Sequence, residues 1–224
     1  MMDTKCIHHI EFGVQNGKKH VTSFLNQYKF QLAGVRSSKL AKQWLLCSHA
    51  VKFLITELSN QLPNTCKDPY VHIWNFPGSN HRPKEDSVFN VALRVNNIQG
   101  CVERLSKNKV EILKPIQTFS DNLGSVQTCI VKSCVGNVIH TLVDDSKYSG
   151  LFLPGFEAAT NADLHEGIDN NFLLQKNQSS QSDSSLHHID HVTFCAENGT
   201  SGNIIDWYER SFGMKRFLIN RYFL

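Results

Sequence analysis

The residues best suited to chemistry lie near the end of the chain, in the stretch LHHIDHVTF at 186–194. Three histidines and one aspartate fall within five consecutive positions of an otherwise apolar stretch. Imidazole and carboxylate groups are side chains that hold transition-metal ions such as zinc and iron. A metal centre needs more ligands than one short strand can point at an ion, so the stretch raises the question of where the others lie.

The overall composition is that of an ordinary globular protein and indicates no strongly charged partner. The 224 residues are 41% hydrophobic and 19% charged, and 23 basic against 20 acidic residues leave a formal charge of +3. The Lys and Arg residues are scattered, which argues against a nucleic-acid or anionic membrane partner. No apolar run approaches the roughly 18 residues of a membrane-spanning helix, and the N-terminus lacks the layout of a signal peptide. We therefore expect a soluble, intracellular protein.

The cysteines indicate neither a disulfide framework nor a zinc ribbon. They form an odd set of seven, and no pair has CxxC spacing. A reducing compartment fits this usage best. The seven are Cys6, Cys47, Cys66, Cys101, Cys129, Cys134 and Cys195.

An internal repeat organises the chain. Shifting the sequence by 182 positions, without a gap, pairs His9 with His191 and matches several apolar positions around them. A shift of 81 positions pairs Ile10 with Val91 and continues through the following apolar residues. One unit therefore occurs three times, starting near residues 7, 88 and 189.

Each unit is predicted to fold as β-α-β-β-β. In the first unit Ile10, Phe12 and Val14 alternate as in a half-buried strand, and apolar residues at helical spacing follow. Short strand-like runs come next, with a hairpin turn predicted at Gly136-Asn137. These runs are QLAGV, QWLLCS and VKFLITEL in the first unit, and VEIL, VQTCIV and VIHTLV in the second. The predicted class is α+β, built of tandem βαβββ modules that pair because one module leaves an apolar face uncovered.

The repeat also predicts the domain organisation. A complete two-module domain should span residues 5–148, and an apolar FLPGF segment followed by a polar linker should span 149–186. Residues 187–224 would be the opening strand, helix and second strand of a third module. They fall below the roughly 40 residues at which small domains need extra support, so we expect their apolar side chains to lie against the first domain or another chain, as in a homodimer. These side chains are Trp207, Tyr208, Phe212, Met214 and Phe217.

Three stretches carry a resemblance to a known family: HHIEF at 8–12, HTLVDDSKYSGLFLPGFEA at 140–158, and IDHVTFCAENG at 189–199 followed by WYERSFGMKRF at 207–217. They resemble 4-hydroxyphenylpyruvate dioxygenase, a vicinal-oxygen-chelate enzyme. The run QWLLCSHAVKFLITE at 43–57 is similar to the dioxygenase-like branch of that family. The resemblance implies a non-catalytic N-terminal domain and a catalytic C-terminal domain, each of two modules. It also implies a mitochondrial location for the dioxygenase-like branch and a cytoplasmic one otherwise.

The resemblance implies a non-heme Fe(II) centre held by two histidines and one glutamate. The first of these histidines follows an Ile-Asp pair at the start of the C-terminal domain, which matches His191; the other two ligands would lie beyond Leu224. Such a set leaves open positions for a 2-oxo acid and dioxygen. The implied reaction is oxidative decarboxylation and hydroxylation of 4-hydroxyphenylpyruvate, in tyrosine catabolism or quinone head-group supply. The product would be homogentisate or 4-hydroxymandelate, and the 224-residue chain alone should be inactive.

The other histidines receive plainer interpretations. Strand alternation would place Asp190 on the face opposite His191, which makes it a poor partner for that imidazole. His187 and His188 precede the predicted strand and are assigned no role, while His9 and His140 are interpreted as packing or structural residues. The loop at 72–86 is interpreted as a connector between modules. The alternative function is a metal-free binding or scaffold module of the same fold, because fold alone does not fix function.

Overall fold

The computed structural model describes residues 4–59, 68–71, 86–160, 162–163 and 186–216. Over these residues the strands form a single nine-stranded sheet. No helix in this described part of the chain is long and apolar enough to cross a membrane. The predicted connector at 72–86, apart from Asp86, and most of the predicted linker lie outside the described residues.

The first module has the predicted order of elements. Its helix begins after Asn16, whose side chain accepts a hydrogen bond from the Lys19 amide at 3.0 Å. Of the four apolar residues at helical spacing, Val21 and Leu25 are buried, Phe24 is partly buried, and Tyr28, the C-cap residue, is 53% exposed. The elements are β1 (Thr4–Val14), α1 (Gly17–Gln27), β2 (Gln31–Ser37), β3 (Ala41–Ser48) and β4 (Val51–Leu58).

The second module repeats this order. Asn97, 81 positions after Asn16, caps its helix by accepting from the Gly100 amide at 2.9 Å. The predicted turn at Gly136-Asn137 joins the last two strands, and Gly136 has a φ of 50°. The elements are β5 (Ser87–Val95), α2 (Ile98–Lys107), β6 (Ile112–Asp121), β7 (Gly124–Lys132) and β8 (Ile139–Tyr148). The predicted α+β class and its βαβββ modules are thereby confirmed.

The two modules join through their first strands. β1 pairs antiparallel with β5 at the centre of the sheet, and each of these strands also pairs in parallel with the last strand of its own module. A short strand β9 (Glu157–Ala158) extends the far edge by pairing with β2. The strand order is β6-β7-β8-β5-β1-β4-β3-β2-β9.

Both faces of the sheet are covered. One face, here called the helix face, packs against α1 and α2 through residues such as Ile10 and Val91. The other, here called the open face, carries no helix among the described residues and is covered by the FLPGF segment, in which Phe152 and Leu153 are 2% and 3% exposed. Burial of these side chains against Leu45 and other strand residues stabilises the sheet by removing apolar surface from water. The FLPGF segment therefore packs as predicted, while the boundary at residue 148 stays a prediction.

The third module departs from the prediction at its first element. Residues 189–194 run without strand pairing, although their apolar pattern matches that of β1. A strand needs a neighbour for its backbone groups, and the central position beside β1 is already filled on both sides by β4 and β5. The predicted helix is present as α3 (Ser201–Phe212), and the second strand lies largely outside the described residues.

Helix α3 packs against the second module, as expected for apolar residues without a module of their own. Phe212 is 3% exposed, and Trp207 and Tyr208 pack against the same core cluster as the helix face. Met214 is 37% exposed, and Phe217 lies outside the described residues. The start of α3 lies two residues later than the repeat predicts, and Thr200 rather than Asn198 is its N-cap residue.

Candidate functional site

The candidate ligand His191 lies on an extended, unpaired segment at the protein surface. Its side chain is 76% exposed, and its Nδ1 lies 2.8 Å from Oδ2 of Asp190, which is 82% exposed. The hydrogen bond and the charge of His191 lower the pKa of Asp190. The expectation that Asp190 would point away from His191 is therefore wrong. It assumed strand alternation, and adjacent side chains are free to meet where no ladder fixes the backbone.

A cavity of about 490 Å³ opens beneath this segment on the helix face. Ile189, Val192 and Phe194 turn toward the protein and form one wall, and His191 stands at the rim. The opposite wall is formed by sheet residues Ile10, Phe12, Phe53, Val88 and Val91, with Val135, Gly136 and Val138 beside them. The space is apolar and suits a hydrocarbon or aromatic group better than a charged one.

The described residues do not assemble the iron site that the resemblance implied. Within them, no group of three or more His, Cys, Asp or Glu side chains is placed to hold a metal ion. The Asp190 carboxylate lies at one ring nitrogen of His191, which is a common support for a ligand imidazole. Among the described residues, however, no two further His, Cys, Asp or Glu side chains are placed to bind an ion together with His191. The donors present therefore do not fit a complete centre. The assignment of His191 as a ligand stays a prediction.

The sequence did not predict a buried polar cluster on the open face, centred on Glu11. Thr56 donates to one carboxylate oxygen at 2.6 Å, and Asn90 donates to the other at 2.9 Å. Burial raises the pKa of Glu11 to about 7, against the opposing effect of hydrogen bonds from Thr56, Asn90 and Gln43. The carboxyl group is thus poised to change protonation near neutral pH while 2% exposed.

The cluster around Glu11 extends along two directions of the sheet. Asn90 also donates to the Thr141 hydroxyl at 2.9 Å, and Gln43 donates to the Thr56 hydroxyl at 3.1 Å. Arg36 then donates to the Gln43 amide oxygen at 2.8 Å. One signal was present in the sequence: Asn90 is the residue that the 81-position shift pairs with His9, so a polar residue recurs at this position in all three modules.

The N-terminal histidines are buried beneath the FLPGF segment. His8 and His9 are 3% and 2% exposed, their Nδ1 atoms lie 2.7 Å apart, and both rings contact the ring of Phe152. Burial lowers the pKa of His8. Burial alone would raise the pKa of Asp145, but His8 and Arg94 outweigh it and lower that pKa to about 2. His9 occupies the packing position expected of it.

His140 connects the second module to helix α3. Its Nδ1 donates to the Val91 carbonyl at 3.0 Å, which leaves Nε2 to accept from the Tyr208 hydroxyl at 2.8 Å. Ser133 donates to the same hydroxyl oxygen at 3.1 Å. Burial lowers the pKa of His140 to about 4, so the ring is neutral at physiological pH. This geometry agrees with the interpretation of His140 as a structural residue.

Comparison with known proteins shows several relatives named 4-hydroxyphenylpyruvate dioxygenase. No protein-family model matches the chain. It is 22% identical to 4-hydroxyphenylpyruvate dioxygenase from Coccidioides posadasii over 93% of this chain and 50% of that protein. It is 29% identical to the enzyme of the same name from Yarrowia lipolytica over 59% of this chain and 30% of that protein. The chain spans about half the length of the curated relatives it matches over most of its own length.

Among solved structures, a triple mutant of 4-hydroxymandelate synthase from Streptomyces coelicolor superimposes with a TM-score of 0.66 at 19% identity. The match covers 97% of this chain and 55% of that one. These solved structures share with this chain the fold of paired βαβββ modules in a curled sheet. In sequence as well as in fold, the chain is similar to 4-hydroxyphenylpyruvate dioxygenases.

Proposed function

We propose that this chain, joined to a second half like that of its relatives, forms a non-heme Fe(II) dioxygenase acting on an aromatic 2-oxo acid. The observation that carries the proposal is the match to 4-hydroxyphenylpyruvate dioxygenases over 93% of the chain. The structural likeness to 55% of a 4-hydroxymandelate synthase chain supports a shared fold for the part of such a protein that this chain represents. The substrate proposed is 4-hydroxyphenylpyruvate, with homogentisate or 4-hydroxymandelate as product.

In this proposal the described two-module domain is the non-catalytic scaffold. Its open face is filled by Phe152, Leu153 and Phe156, so the face that could have formed a substrate cup is closed. His191 supplies one of three iron ligands once its own sheet is complete. Iron held in that way would supply oxygen activation, and the protein would orient the substrate and exclude water. We also propose a mitochondrial location if the dioxygenase-like branch is correct.

The experiment compares the 224-residue chain with a version extended by the second half. Both are purified anaerobically, supplied with Fe(II), and followed for oxygen uptake that depends on 4-hydroxyphenylpyruvate. The extended protein should consume oxygen, and the short chain should not, because one histidine cannot provide the facial set of three ligands. Chromatography of the products then separates homogentisate from 4-hydroxymandelate.

Two substitutions in the extended protein test the ligand assignment. His191→Ala should abolish both iron retention and oxygen uptake, while His188→Ala, three residues away, should retain both. An active His191→Ala protein would show that the wrong ligand has been named. Tight binding of the 2-oxo acid with no iron retained by the unsubstituted extended protein would instead favour the metal-free binding module.

A further inference from the structure

A second pair of histidines lies at the turn between β3 and β4. The ring of His49, in that turn, packs against the ring of His187 with a centroid separation of 4.1 Å, and the ring planes are tilted by 39°. Both residues are exposed, so ions in solution can reach the rings. These two residues are 138 positions apart in the sequence and meet only through the fold.

Hydrogen bonds to the backbone carbonyls of residues 186 and 187 hold this pair in place. The Ala50 amide donates to the His187 carbonyl at 3.2 Å, and the Ser48 hydroxyl donates to the Leu186 carbonyl at 2.8 Å. His49 itself has a φ of 51°, a left-handed conformation that histidine tolerates better than most residues. The turn and the incoming segment therefore hold the two rings together without relying on the rings alone.

The hydrogen bonding of His49 leaves one nitrogen suited to a metal ion. Its Nδ1 lies 3.3 Å from the Leu186 carbonyl oxygen, which can only accept, so Nδ1 carries the hydrogen. The lone pair then lies on Nε2. Histidines that bind metals commonly donate their other ring N–H to a backbone carbonyl in this way, since the bond fixes the tautomer and the ring orientation.

We propose that His49 and His187 form a two-histidine site for a borderline transition-metal ion such as Zn²⁺, with water in the remaining positions. Imidazole suits Zn²⁺, which bonds to a ring nitrogen at about 2.0–2.1 Å, and two rings with centroids 4.1 Å apart can each turn one nitrogen toward a shared ion. With two protein ligands the site binds more weakly than a structural zinc centre. A bound ion would fasten the start of the third module to the first module.

The test is calorimetric titration of Zn²⁺ into the tag-free 224-residue chain and three variants. His49→Asn keeps a residue that tolerates the left-handed turn, and His187→Asn makes the same chemical change at the partner. His188→Asn, at the adjacent histidine, is the matched control. All cysteines are retained in every protein, so any binding to thiols is common to the set, and circular dichroism checks the fold of each variant.

The unsubstituted chain should bind one Zn²⁺ ion saturably. The affinity should fall at least about tenfold in His49→Asn and in His187→Asn, and it should be unchanged in His188→Asn. Amide exchange at residues 186–192 should slow on adding Zn²⁺ only where both ligands are present. Equal binding by the unsubstituted chain and both ligand variants would overturn the proposal, because the contact between His49 and His187 would then be only a packing of two rings. Loss of binding in His188→Asn equal to that in His187→Asn would also overturn it, since the ion would then not be held by this pair.

Discussion

Glu11 should make the folded protein less stable as the pH rises, and Glu11→Gln should remove that dependence. Burial raises the pKa of this carboxyl group from 4.5 to about 7. Between these values the native state retains a proton that the unfolded state has lost. The stability contributed by the group is therefore fully present below pH 4.5 and is lost as the pH rises through 7.

The size of the effect follows from the two pKa values. The difference between 4.5 and about 7 corresponds to about 3 kcal/mol in all, at about 1.4 kcal/mol per pKa unit. Between pH 5 and pH 8 the free energy of unfolding should fall by about 2.5 kcal/mol on account of Glu11 alone. Glutamine has a similar shape and cannot ionise: its Oε1 can accept from Asn90, and its Nε2 can donate to the Thr56 hydroxyl oxygen, which reverses the direction of that hydrogen bond.

The assay is urea unfolding of both proteins at pH 5, 6, 7 and 8, with the difference in unfolding free energy plotted against pH. Other titrating groups cancel in that difference. The free energy of unfolding of Glu11→Gln, measured relative to that of the unsubstituted chain, should rise by about 2.5 kcal/mol from pH 5 to pH 8. Glu103→Gln, the same change at an exposed position on α2, should give a flat difference. A flat difference for Glu11→Gln as well would refute the argument, because it would mean that the native carboxyl group ionises as it does in the unfolded chain.

Three further substitutions test the packing and the helix docking. The native pKa of His140 is about 4, so the unfolded state takes up a proton first as the pH falls, and the free energy of unfolding should drop by about 2 kcal/mol between pH 8 and pH 5. His140→Gln should remove this drop, which the same urea series measures. Phe152→Ala should lower the free energy of unfolding by about 3–5 kcal/mol, whereas Leu151→Ala, at a neighbour that is 43% exposed, should change it little. Equal effects would contradict the conclusion that the FLPGF segment covers the open face. Tyr208→Phe leaves His140 Nε2 without its donor and should speed amide exchange across 201–212, unlike Tyr28→Phe at an exposed site.

The repeat predicted the order of the elements because local patterns determine most of it. Alternating apolar residues and helical spacing recur 81 positions apart, and so do the two asparagines that cap α1 and α2. Each of these signals depends on neighbours within a few residues, which is the range over which side-chain periodicity and capping act. The fold class followed from them directly.

The cluster around Glu11 could not be predicted in the same way. In HHIEF, Glu11 alternates with apolar Ile10, a pattern typical of a strand with one face in water. Its face is dry because Phe152 and Leu153, more than 130 positions away, cover it. The burial of a residue on such a strand depends on which distant segment covers its face, and periodicity carries no information on that.

The first element of the third module was predicted wrongly for a related reason. Residues 189–194 carry the apolar pattern of β1, but a pattern only decides which face a strand would bury. Whether the segment becomes a strand depends on a neighbour with free N–H and C=O groups. Around β1 those groups are taken by β4 and β5, and the described residues offer no equivalent neighbours to 189–194.

The same dependence decides what His191 can do. His9, Asn90 and His191 share one position of the repeat, and in the two complete modules that position lies in the sheet and is at most 2% exposed. At His191 the side chain is 76% exposed, and no ladder fixes its direction. A facial set requires fixed directions for all three donors, and at the two equivalent positions, His9 and Asn90, strand pairing is what fixes the backbone. If His191 is the iron ligand proposed above, iron binding and folding of the third module should occur together, so adding Fe(II) to the extended protein should slow amide exchange at residues 189–194, and His191→Ala should remove that effect.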